Sequence, residues 1–423
     1  MPATQMREVA VNGRHYRFPH EPTVVVCLDG SEPGYIEAAV GRGLAPHLAR
    51  MMRTGANLTA LSAIPSFTNP NNISIITGRP PAMHGIAGNY FLDPATGEEV
   101  MMNDPRFLRA QTIPAAFAAA GVRVVIVTAK DKLRALLAHG LDMASGRAIA
   151  FSAERADRVT VGENGLGAGL SYVGLKLPEV YSAGLSEFVF AAGVRLLERF
   201  RPDLMYLSTS DYVQHKAGPD SPLANTFYAM VDGYLGRLDA AGARLALTAD
   251  HGMNDKHLPD GSPDVLYLQD WFDARLVGRT ARVILPITDP YVAHHGALGS
   301  FATVYLPPDT SIPPLLAALS ATEGVTLAVS RQEACRRFEL PPDRVGDIVV
   351  LSGRRKVLGT SRARHDFTGL DAPLRSHGGL EEQRVPMILN RPVALPPEQE
   401  LRNFDAFDVA LNRAAARAEA TAG

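Results

Sequence analysis

The sequence predicts an α/β protein in which a mainly parallel sheet is sandwiched between helices. Short apolar runs of strand length recur at 23–28, 122–128, 204–207, 244–248 and 385–389, rich in aliphatic and β-branched residues. Segments with helical periodicity lie between them at 36–53, 185–200 and 223–240. The apolar runs are nearly continuous, as strands covered on both faces require. In sheets of this kind the ligand site lies beyond the carboxyl ends of the strands.

Metal-type ligands stand at those ends. The first run is followed by Asp29, the run at 204–207 by Asp211 and His215, and the run at 244–248 by Asp250-His251. A further imidazole, His377, lies in the glycine-rich stretch Ser376-His377-Gly378-Gly379. Any one of these residues alone reads as a helix cap or a packed core group. Together they supply enough carboxylate and imidazole for two metal ions, which points to metal-assisted hydrolysis rather than a binding module.

The segment from Ser66 to Arg79 supplies a nucleophile candidate. Pro70 suits the first turn of a helix and Gly78 its carboxyl-terminal cap, which puts Thr68 or Asn69 at the helix N-terminus. Backbone N–H groups and the helix dipole there favour a phosphoryl group. Thr68 alone reads as an ordinary N-cap. Beside a divalent metal its hydroxyl gains nucleophilicity, because coordination lowers its pKa.

Composition narrows the class. A chain of 423 residues with 46% hydrophobic content is long enough for a large core. Its formal charge of -2 supplies no electrostatic reason to expect nucleic acid or an anionic membrane as partner. No apolar run is long enough to span a bilayer and the N-terminus is polar. Cys27 and Cys335 form no motif and fit a reducing compartment, so a cytoplasmic enzyme is expected. A homodimer is compatible with the sequence, which carries no signature of oligomeric state.

After His251 the chain runs through proline- and glycine-rich sequence before His377 returns to the site. Strand and helix signals recur there at 281–285, 303–306, 313–319 and 347–351. Residues 260–365 are therefore expected to form an inserted cap, with 1–259 and 366–423 as the core. The alanine-rich stretch 410–423 reads as a terminal helix. His294-His295 beside Tyr291 and the basic run Arg354-Arg355-Lys356 read as surface loops, and Arg375 and Ser376 as supports for His377.

Taken together, the ligand pattern and the Thr68 helix resemble the alkaline phosphatase superfamily. The resemblance is to the branch holding nucleotide pyrophosphatases/phosphodiesterases and phosphonoacetate hydrolases, and it runs from Thr23 to about Leu389. It implies an alkaline-phosphatase-like core and two zinc ions, although manganese(II) or iron(II) would suit the same donors. One zinc would be held by Asp211, His215 and His377, the other by Asp29, Asp250, His251 and Thr68. The run His84-Gly85-Ile86-Ala87-Gly88-Asn89 also matches, with Asn89 as the phosphoryl contact and His84 as a structural residue. Asn69 and His215 would join the phosphoryl site. On charge alone Thr128-Ala129-Lys130-Asp131-Lys132 reads as a solvated loop. The resemblance turns Lys130 and Lys132 into ligands for a substrate carboxylate, and so implies a small organophosphonate cleaved at its C–P bond through a phosphothreonine. A nucleotide pyrophosphatase or other phosphoester hydrolase, with Tyr90 and Phe91 as a base slot, is the second expectation. A non-catalytic metal- and phosphate-binding protein is the third.

Overall fold

The computed structural model describes residues 7–288, 297–396 and 398–416. Tyr291, His294 and His295 lie outside the described residues, as does the tail from 417. The central sheet has eight strands, in the spatial order Leu401–Arg402, Ala56–Leu61, Arg384–Leu389, Arg244–Thr248, Thr23–Cys27, Leu204–Ser208, Val124–Thr128 and Ala148–Ser152. The five strands from Arg244–Thr248 to Ala148–Ser152 are mutually parallel and buried at every position. Alternate side chains point to opposite faces of a strand. Val24, Val26, Val125 and Val127 therefore pack with helices Gly184–Arg199 and Pro222–Ala240, while Val25, Cys27, Val124 and Ile126 pack with helix Thr68–Thr77. This two-sided cover is what the unbroken apolar runs demand.

Register is what makes a site. Thr248 pairs with Cys27, Cys27 with Ser208, Ser208 with Thr128, and Thr128 with Ser152. Five neighbouring strands thus end level, and neighbouring strands are about 5 Å apart. Asp250 and Asp29 each emerge two residues past that line, Asp211 three, and Lys130 two. Gly30 lets the Asp29 loop turn: its φ is +71°, and an added Cβ would lie 2.9 Å from the Asp211 Cβ.

Several expectations need correction. Arg384–Leu389 is apolar as expected but runs antiparallel to both neighbours, and an apolar run carries no information about direction. The expected helix at 36–53 is two helices, Pro33–Gly41 and Pro46–Thr54, separated where Gly43 adopts a φ of +73° and Pro46 starts the second. Strands Ala56–Leu61 and Ala148–Ser152 carry no clear apolar run, because one is partly polar and half-exposed and the other alanine-rich. The terminal helix stops at Arg413, after which Ala414 bridges to Val393.

Within 260–365 lies a second, four-stranded antiparallel sheet of Arg282–Ile284, Phe301–Tyr305, Ile348–Ser352 and Val325–Ser330. Helices Ile312–Ser320 and Arg331–Phe338 belong to the same apolar cluster, which also takes in Ile64 and Phe67 from just before the Thr68 helix. Cys27 is buried, Cys335 is half-buried, and both are free thiols. Among the described residues no helix is long and apolar enough to cross a membrane.

A buried ion pair fastens the two sheets together. Lys256 Nζ donates to Glu382 Oε1 at 2.9 Å and to Ser300 Oγ at 2.7 Å, and both ends of the pair are fully buried. Glu382 also accepts from Asn254 Nδ2 at 2.7 Å and from the Gly379 N–H at 3.0 Å. Removing one partner strands a buried charge. Lys256→Met is therefore expected to cost roughly 3–5 kcal/mol, whereas pairing it with Glu382→Met should recover much of the loss. Urea unfolding followed by the fluorescence of the single tryptophan, Trp271, would measure both.

Candidate active site

Each ligand-type residue is delivered by a distinct local device. Asp29, Asp211 and Asp250 leave the level strand ends described above. His377 arrives through a two-residue antiparallel ladder in which Asn254 pairs with Ser376 and Asp255 with Arg375, three residues past His251. As a result the His251 and His377 rings stack with centroids 3.5 Å apart and planes within 5°. Thr68 opens helix Thr68–Thr77, which Gly78 ends in the left-handed region at φ 66°. Asn71 holds the approach to that helix, accepting from the Ala63 N–H at 2.7 Å and donating to the carbonyls of Ala63, Pro65 and Phe67.

The charged groups converge. His251 Nε2 lies 3.2 Å from Asp29 Oδ1, 3.7 Å from Asp250 Oδ2 and 3.4 Å from Thr68 Oγ1. Asp211 Oδ2 lies 2.9 Å from His215 Nε2 and 3.8 Å from His377 Nε2. Ligand atoms of Asp29, Asp250 and His251 fall within 4.8 Å of one another, as do those of Asp211, His251 and His377. His251 therefore touches both groups, where the family pattern assigns it to one.

Imidazole tautomers decide whether a cation fits. In all three histidines Nδ1 faces a backbone carbonyl: His215 that of Arg375 at 2.8 Å, His251 that of Gly252 at 2.9 Å, and His377 that of Ser66 at 2.8 Å. With the proton on Nδ1, a neutral ring presents the Nε2 lone pair to the neighbouring carboxylates. Burial, then His251 and His215, drive the pKa of His377 well below the usual range, so that ring is neutral. Asp29 Oδ1 is buried and accepts no hydrogen bond. Burial, then Asp211 and Asp250, push the Asp29 pKa well above the ordinary range, against a smaller pull from Lys132. Lone pairs facing lone pairs in a buried cluster are what divalent cations stabilise, and these residues fit such ions.

Some important residues had no signal in the sequence. Asn72, one of a polar pair after Pro70, donates through Nδ2 to Asp250 Oδ2 at 3.0 Å and to the Thr68 carbonyl at 3.1 Å. Its Oδ1 accepts from Tyr206 Oη and Ser208 Oγ, both at 2.8 Å. One side chain thus ties the nucleophile candidate, a ligand carboxylate and the sheet. Arg375 supports the ligand loops: its Nε donates to the Gln214 carbonyl at 2.8 Å, and its own carbonyl orients His215.

A single cavity gathers Thr68, Asp29, Asp211 and His377 with Asn69, Asn89, Lys130 and Lys132. Both lysines are thus at the strand-end site, and the neighbouring Asp131 bridges to Arg134 at 2.9 Å. The Asn69 N–H, expected at the phosphoryl group, donates to Asn89 Oδ1 at 2.9 Å and orients the Asn89 amide, while Asn69 itself lines the cavity. His84 is structural as expected: it is buried, accepts from the Ile86 N–H at 3.2 Å and bonds Ser74 Oγ at 2.9 Å. Burial, with Arg344, pushes its pKa down to about 3.

The converged ligands predict a metal-linked stability. Zinc added to chelator-stripped protein at about 1,000 times its Kd is expected to raise unfolding free energy by about 4 kcal/mol. Asn72→Ala should weaken metal affinity about 10- to 100-fold by releasing Asp250. Competition with a chromophoric chelator would measure this, and unchanged affinity would remove Asn72 from that role.

Comparison with known proteins follows the same lines. A crystal structure of phosphonoacetate hydrolase from Sinorhizobium meliloti with phosphonoformate matches at 59% identity and a TM-score of 0.95, covering 97% of this chain and 100% of the other. The same enzyme with phosphonoacetate matches with a TM-score of 0.94. Murine ectonucleotide pyrophosphatase/phosphodiesterase 5 shares the fold at 18% identity, with a TM-score of 0.60 over 94% of this chain and 96% of its own. Curated relatives match locally. An uncharacterized pyrophosphatase/phosphodiesterase of Schizosaccharomyces pombe is 35% identical over 83 residues, and ectonucleotide pyrophosphatase/phosphodiesterase 1 of Saccharomyces cerevisiae 37% over 92. Those matches cover 19% and 21% of this chain but only 16% and 12% of the relatives' own length. The model of one family matches residues 23–379, and the chain belongs to that family, the type I phosphodiesterase / nucleotide pyrophosphatase family.

Proposed function

We propose that this chain is a phosphonoacetate hydrolase, cleaving the C–P bond of phosphonoacetate to give acetate and phosphate. The observation that carries the reading is the single cavity that holds a hydroxyl, metal-type ligands and two lysines. Identity of 59% over 97% of the chain to the Sinorhizobium meliloti hydrolase supports it. Asp211, His215 and His377 would hold one zinc, and Asp29, Asp250, His251 and Thr68 the other; manganese(II) or iron(II) suits the same donors. Such ions lower the pKa of the Thr68 hydroxyl and offset the charge of the phosphonate.

In this reading Thr68 Oγ1 attacks phosphorus in line as the P–C bond breaks. Asn89, oriented through its oxygen by the Asn69 N–H, offers its NH2 group to a phosphoryl oxygen. The electron pair of the broken bond passes to the methylene carbon and spreads into the carboxylate as an enediolate. Lys130 and Lys132 meet that charge, and a preorganised contact of this kind is worth about 3 kcal/mol in the transition state. Water then protonates the carbon, the hydroxide so formed takes up the proton released by the Thr68 hydroxyl, and a second water hydrolyses the phosphothreonine, returning the proton to Thr68.

Residues 260–365 act as a cap on the core formed by 1–259 and 366–423, and Ile287 from this segment lines the cavity and limits water. The two free thiols fit a reducing compartment, so the reading places the enzyme in the cytoplasm.

The nucleotide pyrophosphatase alternative needs an aromatic slot for a base. Phe91 is instead buried against Phe107, with ring centroids 5.0 Å apart, and Tyr90 turns its hydroxyl to Glu99. Neither lines the cavity. Phosphonoacetate is expected to exceed a nitrophenyl nucleotide ester in kcat/KM by at least about tenfold; the reverse order would remove the substrate assignment. Thr68→Ala should keep its metal and lose at least about 10³-fold in kcat, and full activity would exclude the phosphothreonine.

A further inference from the structure

Lys130 lines the cavity, and its ammonium is anchored by an exposed segment rich in apolar residues. Lys130 Nζ donates to the Val180 carbonyl at 2.9 Å and lies 5.0 Å from the centroid of the Tyr181 ring. Both belong to the strap 174–183, between helices Gly169–Val173 and Gly184–Arg199. Ser182 Oγ donates to the Glu179 carbonyl at 2.8 Å and closes a turn within it. Packing does not account for the strap's composition, because Leu175, Leu177, Val180 and Tyr181 remain 37–44% exposed. Both lysines line the cavity, and Lys130 is held by the strap through the Val180 carbonyl and the Tyr181 ring.

A lysine carries a mobile four-carbon stem and a strongly hydrated charge. Left alone beside an open cavity, it would distribute that charge over solvent-facing rotamers. A carbonyl acceptor and an aromatic face on one side restrict it. We propose that the strap is a specificity element: Val180 and Tyr181 position Lys130 so that its charge meets the substrate carboxylate and sets the preference for a carboxylate-bearing phosphonate over bare phosphate. Tyr181 is thus a positioning residue acting through Lys130. The inference rests on the phosphonoacetate reading above.

The test compares kcat/KM for phosphonoacetate with the Ki of inorganic phosphate, which has no carboxylate, in metal-loaded Tyr181→Leu, Tyr181→Phe, Lys130→Ala and the Tyr181→Leu/Lys130→Ala double variant. Tyr181→Leu is expected to lower kcat/KM about three- to tenfold while phosphate Ki stays within about twofold. Tyr181→Phe keeps the ring and should restore wild-type discrimination. In the Lys130→Ala background, Tyr181→Leu should add nothing further. Equal losses for both ligands, or an undiminished Tyr181→Leu effect without Lys130, would overturn the proposal. A Lys130→Ala effect with Tyr181→Leu silent would remove the strap alone. A silent Lys130→Ala would remove the carboxylate contact at Lys130, and the strap's role with it.

Discussion

The site depends on a cluster of buried acceptors that the protein alone leaves uncompensated. Three carboxylates and three imidazoles converge within a few ångströms, and each ring commits its Nδ1 to a backbone carbonyl. Asp29 Oδ1 accepts no hydrogen bond, and the pKa of its carboxyl is raised by burial and by Asp211 and Asp250. A fold would normally avoid such an arrangement, because unpaired buried charge is costly. Its persistence is intelligible if divalent cations complete it. The surrounding contacts serve that purpose: Asn72 fixes Asp250, Arg375 fixes the loop beside His215, and the Lys256–Glu382 pair fixes the His377 loop.

Sheet register turns this local chemistry into one place. Four parallel strands that end level deliver Asp250, Asp29, Asp211 and Lys130 side by side. The return of His377 needs a separate device, the short ladder between 254–255 and 375–376. Phe67 links the two layers, with its ring edge-on to both Phe301 and His377 while Thr68 follows it in the chain. Packing of the second sheet's apolar cluster and placement of Thr68 are therefore coupled through one side chain.

Two lysines line the same cavity as the metal-type ligands. Lys130 caps helix Asp131–Leu137 and is anchored by Val180 and Tyr181, while Lys132 lies in that helix's first turn. A family that cleaves phosphate esters supplies the machinery. In the proposed reading the lysines would meet the charge that develops on a leaving group far poorer than an alkoxide.

The strand ends and their ligands were legible in the sequence because buried parallel strands are continuous apolar runs, and Asp or His just past them stands out. Thr68, the strand-end ligands and the lysine pair were found that way or through family resemblance. Other features had no such mark. Asn72 looks like any helix asparagine until Tyr206, Ser208 and Asp250 surround it. Asn69 was expected to hold substrate, but its N–H is taken by Asn89, twenty residues away. The antiparallel course of Arg384–Leu389 and the break at Gly43–Pro46 were likewise hidden. Sequence by itself determined which residues could do chemistry and which strands would carry them, because those follow from residue type and local period. Only the tertiary structure decided which donors are already spent, which nitrogen of each histidine faces inward and what anchors Lys130, because hydrogen-bond partners are set by contacts distant along the chain.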